Sequence, residues 1–214
     1  MDNATMKESS YYPPATATFG GTSIAEARTE AIRKSIHFLI ALSPPLAALS
    51  RPFTVLALMA GVLGYTVMEL LRLSGVKVPL VSALTRMASR PRDAYGFVMG
   101  PVTLGLGALL ALTLFPPPVA SIAIFALAFG DGFAGLIGKL YGRLRPAFLF
   151  GKSAEGSVAC FAATFVAAYC VSHSLIVSLA AAAAATTAEA LPLEDYDNIV
   201  LPLAVGMVIQ LANF

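Results

Sequence analysis

Seven apolar stretches separated by short breaks are the feature that most constrains how this sequence can fold. They lie near residues 35–50, 52–73, 95–115, 118–140, 154–172, 174–191 and 198–214. A helix needs about 20 mainly apolar residues to cross a membrane. The pattern therefore predicts an all-α fold, a polytopic membrane helical bundle with about seven transmembrane helices. The count falls to six if the first stretch, which contains Pro44 and Pro45, does not cross.

The composition agrees with a membrane protein and argues against a soluble domain. Charged residues make up 12% of the 214 residues, whereas an average globular protein has about 25%. Apolar residues make up 57%, and the mean hydropathy is +0.78. The net charge of +2 is too small to draw the protein to nucleic acid, so we expect no nucleic-acid partner.

The lysines and arginines predict which side of the membrane each loop occupies. With a cytoplasmic N-terminus, 13 of the 14 basic residues fall on the inner side and Arg51 falls outside. An excess of basic residues in short loops marks the cytoplasmic side. The inner set is Lys7, Arg28, Arg33, Lys34, Arg72, Lys77, Arg86, Arg90, Arg92, Lys139, Arg143, Arg145 and Lys152.

The N-terminal residues divide the chain into a tail and one membrane domain. Residues 1–22 read as a disordered cytoplasmic tail, and residues 23–214 as a single integral membrane domain. Ser23 followed by Glu26 resembles a capping box that opens a helix. The first 30 residues contain no apolar run, so no cleavable signal peptide is expected. These features favour a prokaryotic plasma membrane.

The ionisable residues gather at the cytoplasmic level of the predicted spans. Asp131 lies about 20 Å from the outer end of its helix, within Gly130-Asp131-Gly132. Ionisable residues inside a membrane are costly and mark functional sites by default. Glu189 and Asp197 end and begin neighbouring spans at the same level. The alternative for Asp131 is a structural role in which it pairs with a basic residue.

The segment from Gly142 to Lys152 has the chemistry of a phosphate site. Its glycines and basic residues can cradle phosphates, and Glu155 and Gly156 follow at a helix N-terminus, which favours anions. Mg²⁺ binds one or two carboxylates together with phosphate oxygens. We therefore expect a nucleotide site at the inner face. The competing interpretation is that Arg143, Arg145 and Lys152 only set the topology.

These residues form a pattern that resembles the polyprenol kinase family, which includes dolichol, phytol and farnesol kinases and CTP-dependent diacylglycerol kinases. The central motif is Gly130-Asp131 followed by Gly151-Lys152-Ser153-Ala154-Glu155-Gly156. Arg33-Lys34 with His37 opens the first span, and Asp197-Asn198 opens the last. The resemblance covers roughly residues 30–214. It implies transfer of the γ-phosphoryl group of CTP or ATP to a long-chain isoprenoid alcohol or diacylglycerol.

The resemblance and the placement of the charges together suggest roles for individual residues. The catalytic candidates are Asp131, Glu155 and Lys152, with Asp131 and Glu155 as equal candidates for the base and His37 as a further one. The nucleotide-binding candidates are Arg33, Lys34, Gly138, Arg143, Lys152, Ser153 and Gly156. Mg²⁺ is the expected metal, held by Asp131 with help from Asp197 or Glu189. The lipid tail is expected in a groove beside small residues such as Gly61, Gly64, Gly105 and Gly107.

Two other functions stay open at this point. Phosphatidate cytidylyltransferases also use CTP at a membrane, but their longer C-terminal signature is missing, and Asp195-Tyr196-Asp197-Asn198 is a poor substitute. A small transporter would fit the Pro44-Pro45 break. The charge-free outer half argues against it, because no polar route crosses that half. A homodimer through the glycine-rich fourth span is a further possibility.

Overall fold

The computed structural model describes residues 18–19, 22–76, 78–79 and 96–212, with side chains described from residue 28 onward. Thr18–Phe19 (β1) and Thr22–Ser23 (β2) form a short antiparallel pair at the end of the predicted tail. The rest of the predicted tail lies outside the described residues. The described residues also exclude five of the basic residues named above: Lys7, Lys77, Arg86, Arg90 and Arg92.

Apart from this strand pair, the described residues form helices, which confirms the predicted all-α class. Helix α1 spans Ile24–Ile40, α2 Ser43–Leu73, α3 Gly100–Leu114 and α4 Pro117–Leu140. Helix α5 spans Ala154–Ser172, α6 Leu175–Ala190 and α7 Asp197–Leu211. Within α4, residues Ala126–Asp131 form a π-helical segment, and Ala147–Leu149 form a short 3₁₀ turn before α5.

Two of the short breaks between the predicted apolar stretches coincide with helix ends: the break before residue 118 and the break before residue 174. Helix α4 begins at Pro117, and α5 ends where His173 adopts a left-handed conformation with φ 53°. Ser174 then caps α6 by accepting the N–H of Val177 at 3.4 Å. These features explain why a helix begins after each break, because proline suits the first turn of a helix and serine suits the N-cap position.

The first predicted span, 35–50, does not exist as one helix. Helix α1 ends at Ile40, and Ala41 and Leu42 form a turn before α2. Pro44 lies in the first turn of α2, where the N–H that proline lacks would have no partner in the helix. The predicted break at Ser50-Arg51-Pro52 is instead a kink inside α2. Ser50 has φ −157° and ψ 98°, because Pro52 cannot continue the helical hydrogen-bond ladder.

Three helices among the described residues are long and apolar enough to cross a membrane: α2, α4 and α5. Helices α3, α6 and α7 are also apolar but have only 15 or 16 residues. The count of seven spans and the cytoplasmic N-terminus therefore remain predictions.

Small residues pack the centre of the bundle. Ala108 and Ala111 of α3, Ala123 of α4, and Ala181 and Ala185 of α6 are fully buried. Small side chains let helix backbones approach closely, which is how helices associate in a membrane. The alanine run 180–185 therefore serves helix packing, as its composition indicates.

Gly107 of α3 lies very close to α7, and a single substitution can test this contact. A methyl group at Gly107 would overlap the backbone carbonyl oxygen of Asn198. We expect Gly107→Ala to lower the free energy of unfolding by about 1–3 kcal/mol, the usual cost of overpacking. Thermal unfolding in detergent measures this effect. Gly61→Ala in α2 is the control, because nothing lies within 4 Å of an added Cβ there. Equal melting temperatures for the two variants would contradict the prediction.

Candidate functional site

The polar side chains of α1 lie on one side of that helix. Glu30, Arg33, Lys34 and His37 follow a spacing of three and four residues, which places them on one helical face. Glu30, Lys34 and His37 are buried. Glu30 accepts a hydrogen bond from Arg33 and forms an ion pair with Lys139 of α4, with Nζ 2.8 Å from Oε2. The face therefore points towards α4.

Glycines in α4 allow α1 to approach so closely. A Cβ atom at Gly135 would overlap Cε of Lys34, and one at Gly132 would lie 2.6 Å from the ring of Phe38. Larger residues at these two positions would push α1 away. These two glycines of the glycine-rich fourth span thus serve a helix–helix contact within the chain.

Asp131 is the centre of the polar contacts between α1 and α4. It is the last residue of the π segment, and its side chain is buried. Lys34 Nζ donates to Asp131 Oδ2, and His37 Nε2 lies 3.0 Å from the same oxygen. Asp131 therefore pairs with a lysine, as the structural interpretation of the sequence expects, and it also lines the cavity described below.

A buried hydrogen-bond network continues from His37 to two further helices. His37 Nε2 lies 3.0 Å from Oδ1 of Asn198, at the start of α7. Asn198 Nδ2 donates to Thr103 Oγ1 of α3 at 2.9 Å and to the Gly100 carbonyl at 3.4 Å. The Nδ1 atom of His37 is buried and has no hydrogen-bond partner among the described residues. The network fixes α1, α3, α4 and α7 around Asp131.

The loop between α4 and α5 is held against the start of α5. Glu155 accepts the backbone N–H groups of Arg143 at 2.9 Å and Leu144 at 3.1 Å. Ser153 caps α5 by accepting the N–H of Gly156 at 3.1 Å, and Ala154 N–H donates to the Leu144 carbonyl at 2.8 Å. Several amides that would face a bound anion therefore already have partners within the protein.

The same loop positions one arginine and one lysine for the site. Arg145 donates to the carbonyls of Gly151 and Gly138, the latter at 3.3 Å. Lys152 forms an ion pair with Glu189 of α6, with 3.2 Å between Nζ and Oε1. Phe150 and Gly151 both have positive φ, at 49° and 88°, so the chain reverses there before Lys152.

These elements enclose a polar cavity of about 220 Å³. Its charged lining consists of five basic and four acidic side chains, counted from the residues that follow. They are Arg33, Lys34, Lys139, Arg145, Lys152, Glu30, Asp131, Glu189 and Asp197. Gly138, Ser153 and Gly156 also line it. The cavity thus brings together opposite charges from α1, α4, α6, α7 and the loop between α4 and α5.

Three predicted site residues do not line this cavity: His37, which contacts Asp131 and Asn198 instead, Arg143 and Glu155. Arg143 is exposed, and Glu155 is committed to the loop amides. Gly138 and Gly156 are needed for packing, because a Cβ at Gly138 would lie 2.9 Å from Ser153 Oγ, and one at Gly156 would lie 2.8 Å from the Ala134 carbonyl oxygen.

Three charged lining residues were not among the predicted site residues: Glu30, Lys139 and Arg145. Glu30 could have been found from its spacing, since it lies one helical turn before Arg33 and Lys34. Arg145 was indistinguishable from Arg143 by sequence, because only the loop conformation separates them.

The carboxylates of the cavity fit a metal ion that arrives with phosphates. Burial and the negative charge of Asp131 raise the pKa of Asp197 to about 7, so a cation near both groups would be favoured. No group of three or more His, Cys, Asp or Glu side chains within the described part of the chain is arranged to hold a metal by itself. Mg²⁺ needs only one or two carboxylates when phosphate oxygens complete its coordination.

The ion pairs of Glu30 make stability depend on pH. Burial disfavours its charged form, but Arg33 and Lys34 outweigh burial and lower its pKa from 4.5 to about 2. This stabilisation is complete above pH 4.5 and is lost as the pH falls towards 2. We expect Glu30→Gln to lower the melting temperature at pH 7 and to narrow its difference from the native protein at pH 3. Thermal unfolding in detergent tests this, with Arg143→Gln, at an exposed side chain outside the cavity, as control. A gap that is constant with pH would contradict it.

Comparison with known proteins finds relatives that are named as kinases of phytol or of diacylglycerol. The chain is 30% identical to a protein named phytol kinase from Synechocystis over 143 residues, 62% of this chain and 59% of the relative. It is 27% identical to a probable chloroplastic phytol kinase 1 of Oryza sativa subsp. japonica over 61% of this chain and 47% of the relative. It is 39% identical to CTP-dependent diacylglycerol kinase 1 of Eremothecium gossypii over 26% of this chain and 18% of the relative.

The matches span about half the length of the phytol kinases and less of the diacylglycerol kinase. No family model and no solved structure matches the chain. The named relatives agree with the resemblance carried by Gly130-Asp131 and by Lys152 to Gly156. They support a polyprenol and phytol kinase-like family for this chain.

Proposed function

We propose that this protein is a membrane-embedded lipid-alcohol kinase, which transfers the γ-phosphoryl group of a nucleoside triphosphate to the hydroxyl of a long-chain alcohol. The observation that carries the proposal is the polar cavity of five basic and four acidic side chains among apolar helices. A triphosphate from water and a hydroxyl on a hydrophobic tail can meet only near such a boundary. The names of the relatives support the same reaction.

Phosphoryl transfer depends on positioning and charge neutralisation more than on covalent chemistry. Arg33, Arg145 and Lys152 are the cations that we assign to the triphosphate. Lys34 is shared, since it lies against Asp131 and also lines the cavity. Its ammonium group can keep Asp131 ionised and contact a phosphate from the same position.

Asp131 and Asp197 are the residues that we assign to Mg²⁺, with Glu189 as a further candidate held by Lys152. Mg²⁺, when bound there, would neutralise charge that develops on the phosphates during transfer. Asp131 also remains the stronger candidate to orient the alcohol hydroxyl. Glu155 is better suited to holding the loop, because its carboxylate accepts two backbone amides outside the cavity.

CTP is the nucleotide that we expect first, because one relative carries a CTP-dependent name. We further propose that the cavity opens to the cytoplasm, since the basic residues of the described loops lie beside it. The protein would then be an integral component of the plasma membrane of a prokaryote.

A direct assay tests the proposed reaction. Purified protein in detergent, given CTP or ATP labelled at the γ-phosphate with Mg²⁺ and a panel of long-chain alcohols and diacylglycerol, should yield a labelled phosphorylated lipid. Omission of Mg²⁺ should abolish the product. A preparation that is folded by thermal unfolding, yet labels no lipid with either nucleotide, would overturn the kinase proposal.

Asp131→Asn tests the central carboxylate. The amide keeps the size of the side chain but removes the negative charge that Lys34 and the proposed metal require. We expect turnover to fall by at least about 1,000-fold, a loss of roughly 4 kcal/mol in transition-state stabilisation. Arg143→Gln, at an exposed side chain outside the cavity, is the control. Turnover within tenfold of the native enzyme would remove Asp131 from the proposed mechanism.

Arg143 and Arg145 form a matched pair that tests the nucleotide site. Both belong to one loop, but only Arg145 lines the cavity. We expect Arg145→Ala to raise the KM for the nucleotide by roughly 10–100-fold, since a hydrogen bond to a charged group contributes about 1.5–3 kcal/mol. Arg143→Ala should stay within about threefold. Steady-state kinetics with varied nucleotide measures both, and equal effects would contradict the assignment.

A further inference from the structure

The buried hydrogen-bond network beside Asp131 has a direction, which is set at its far end in α3. Thr103 Oγ1 lies 3.2 Å from the carbonyl oxygen of Met99 and 3.1 Å from that of Gly100, at the start of α3. A carbonyl oxygen can only accept, so the Thr103 hydroxyl donates its proton to this pair. The Thr103 oxygen is then the acceptor for Asn198 Nδ2, which lies 2.9 Å away.

The same contacts select one of the two orientations of the Asn198 side-chain amide. Asn198 is buried, and its Nδ2 also donates to the Gly100 carbonyl at 3.4 Å. The reverse orientation would turn Oδ1 towards that carbonyl, and two acceptors would face each other without a proton between them. Asn198 therefore presents its own carbonyl oxygen, Oδ1, to His37.

The position of the proton on the His37 ring follows from this orientation. Nε2 lies 3.0 Å from Asn198 Oδ1 and 3.0 Å from Asp131 Oδ2. Both oxygens are acceptors, so Nε2 carries a proton that the two share in a three-centre hydrogen bond. Nδ1 is buried without a hydrogen-bond partner among the described residues, and a proton there would be a costly unpaired donor. The geometry selects the tautomer that is protonated on Nε2 only.

The two oxygens of the Asp131 carboxylate have different surroundings. Lys34 and His37 both donate to Oδ2. Within the part of the chain that the structure describes, Oδ1 receives no hydrogen bond. Because Asp131 lines the polar cavity, Oδ1 is the oxygen that remains for a ligand there.

We propose that His37 is a positioning residue, which Thr103 and Asn198 hold in the Nε2-protonated tautomer so that Asp131 keeps Oδ2 occupied and Oδ1 available. The proposal rests on the proposed kinase function only for the task of Oδ1, which is to hold Mg²⁺ or to orient the alcohol. His37 does not serve as the base at Nε2, because that nitrogen already carries a proton. The sequence candidates for the base are then Asp131 and Glu155, of which only Asp131 lines the cavity.

NMR tests the tautomer without any turnover, since the chain has only two histidines. In protein labelled with ¹⁵N-histidine, the one-bond coupling between nitrogen and hydrogen shows which ring nitrogen carries a proton. His173 is exposed, and His173→Gln assigns the remaining signals to His37. We expect a proton on Nε2 of His37 and none on Nδ1. A proton on Nδ1, alone or together with one on Nε2, would overturn the proposal.

Thr103→Val and Thr113→Val provide a matched pair on α3. Both hydroxyl groups contact backbone carbonyls three and four residues earlier, but only Thr103 also accepts from Asn198. Valine at 103 keeps the shape of the side chain and releases the Asn198 amide. We expect Thr103→Val to move part of the His37 proton to Nδ1, and Thr113→Val to leave the native signals. Native His37 signals in Thr103→Val would overturn the proposal.

Steady-state kinetics distinguishes positioning from a purely structural role. We expect Thr103→Val to lower kcat about tenfold, the effect of about one hydrogen bond, and to leave the KM for the nucleotide within about twofold. Thr103→Ser keeps the hydroxyl group and should restore kcat. Thr113→Val should match the native protein. A lower melting temperature of Thr103→Val with an unchanged kcat would show a structural role only and would overturn the proposal.

The two measurements separate failure of this proposal from failure of the kinase function. Native protein that phosphorylates no lipid but carries the His37 proton on Nε2 would overturn the kinase function and support the hydrogen-bond chain. Native protein that phosphorylates a lipid but carries the proton on Nδ1 would overturn the positioning role and leave the kinase function intact.

Discussion

The contact of Lys34 with Asp131 is the interaction on which the arrangement of the site depends. A carboxylate buried among apolar helices is costly unless a cation and hydrogen bonds accompany it. Lys34 supplies the cation, and His37 lies 3.0 Å from the same carboxylate oxygen. Because both come from α1, the pairing fixes α1 against α4. Removal of either partner would leave an uncompensated charge, so the pair also specifies which helices are neighbours.

Much of the fold and part of the site were predictable from sequence because they depend on local spacing. Arg33, Lys34 and His37 share one helical face, which three- and four-residue spacing implies directly. Ser153 caps α5, and Pro117 starts α4, as proline and serine preferences suggest. Glycine near Asp131 indicated a close approach, which the contact of Gly135 with Lys34 displays.

The remainder depends on contacts between residues distant in sequence. Glu155 accepts the backbone amides of Arg143 and Leu144 and so fixes the conformation of this loop. That conformation places Arg145, but not Arg143, in the lining of the cavity. The pairing of Glu30 with Lys139 joins α1 to α4 across more than 100 residues. A kink at Ser50 stands where a break was predicted, and Arg51 beside it donates to the carbonyls of Leu112 and Phe115 at the end of α3. Spacing within one segment carries no information about such pairings.

The π segment of α4 separates two halves whose packing partners differ, apart from α5, which contacts both. Each α-helical residue turns the helix by about 100°, so a wider turn at Ala126–Asp131 resets the direction of every later side chain. The half before it packs against α3, α5 and α7, and the half after it packs against α1 and α5. Residues 132–140 can thus face α1 and the polar cavity while residues 117–125 face the core. A single helix can therefore direct the side chains of its two halves towards different neighbours.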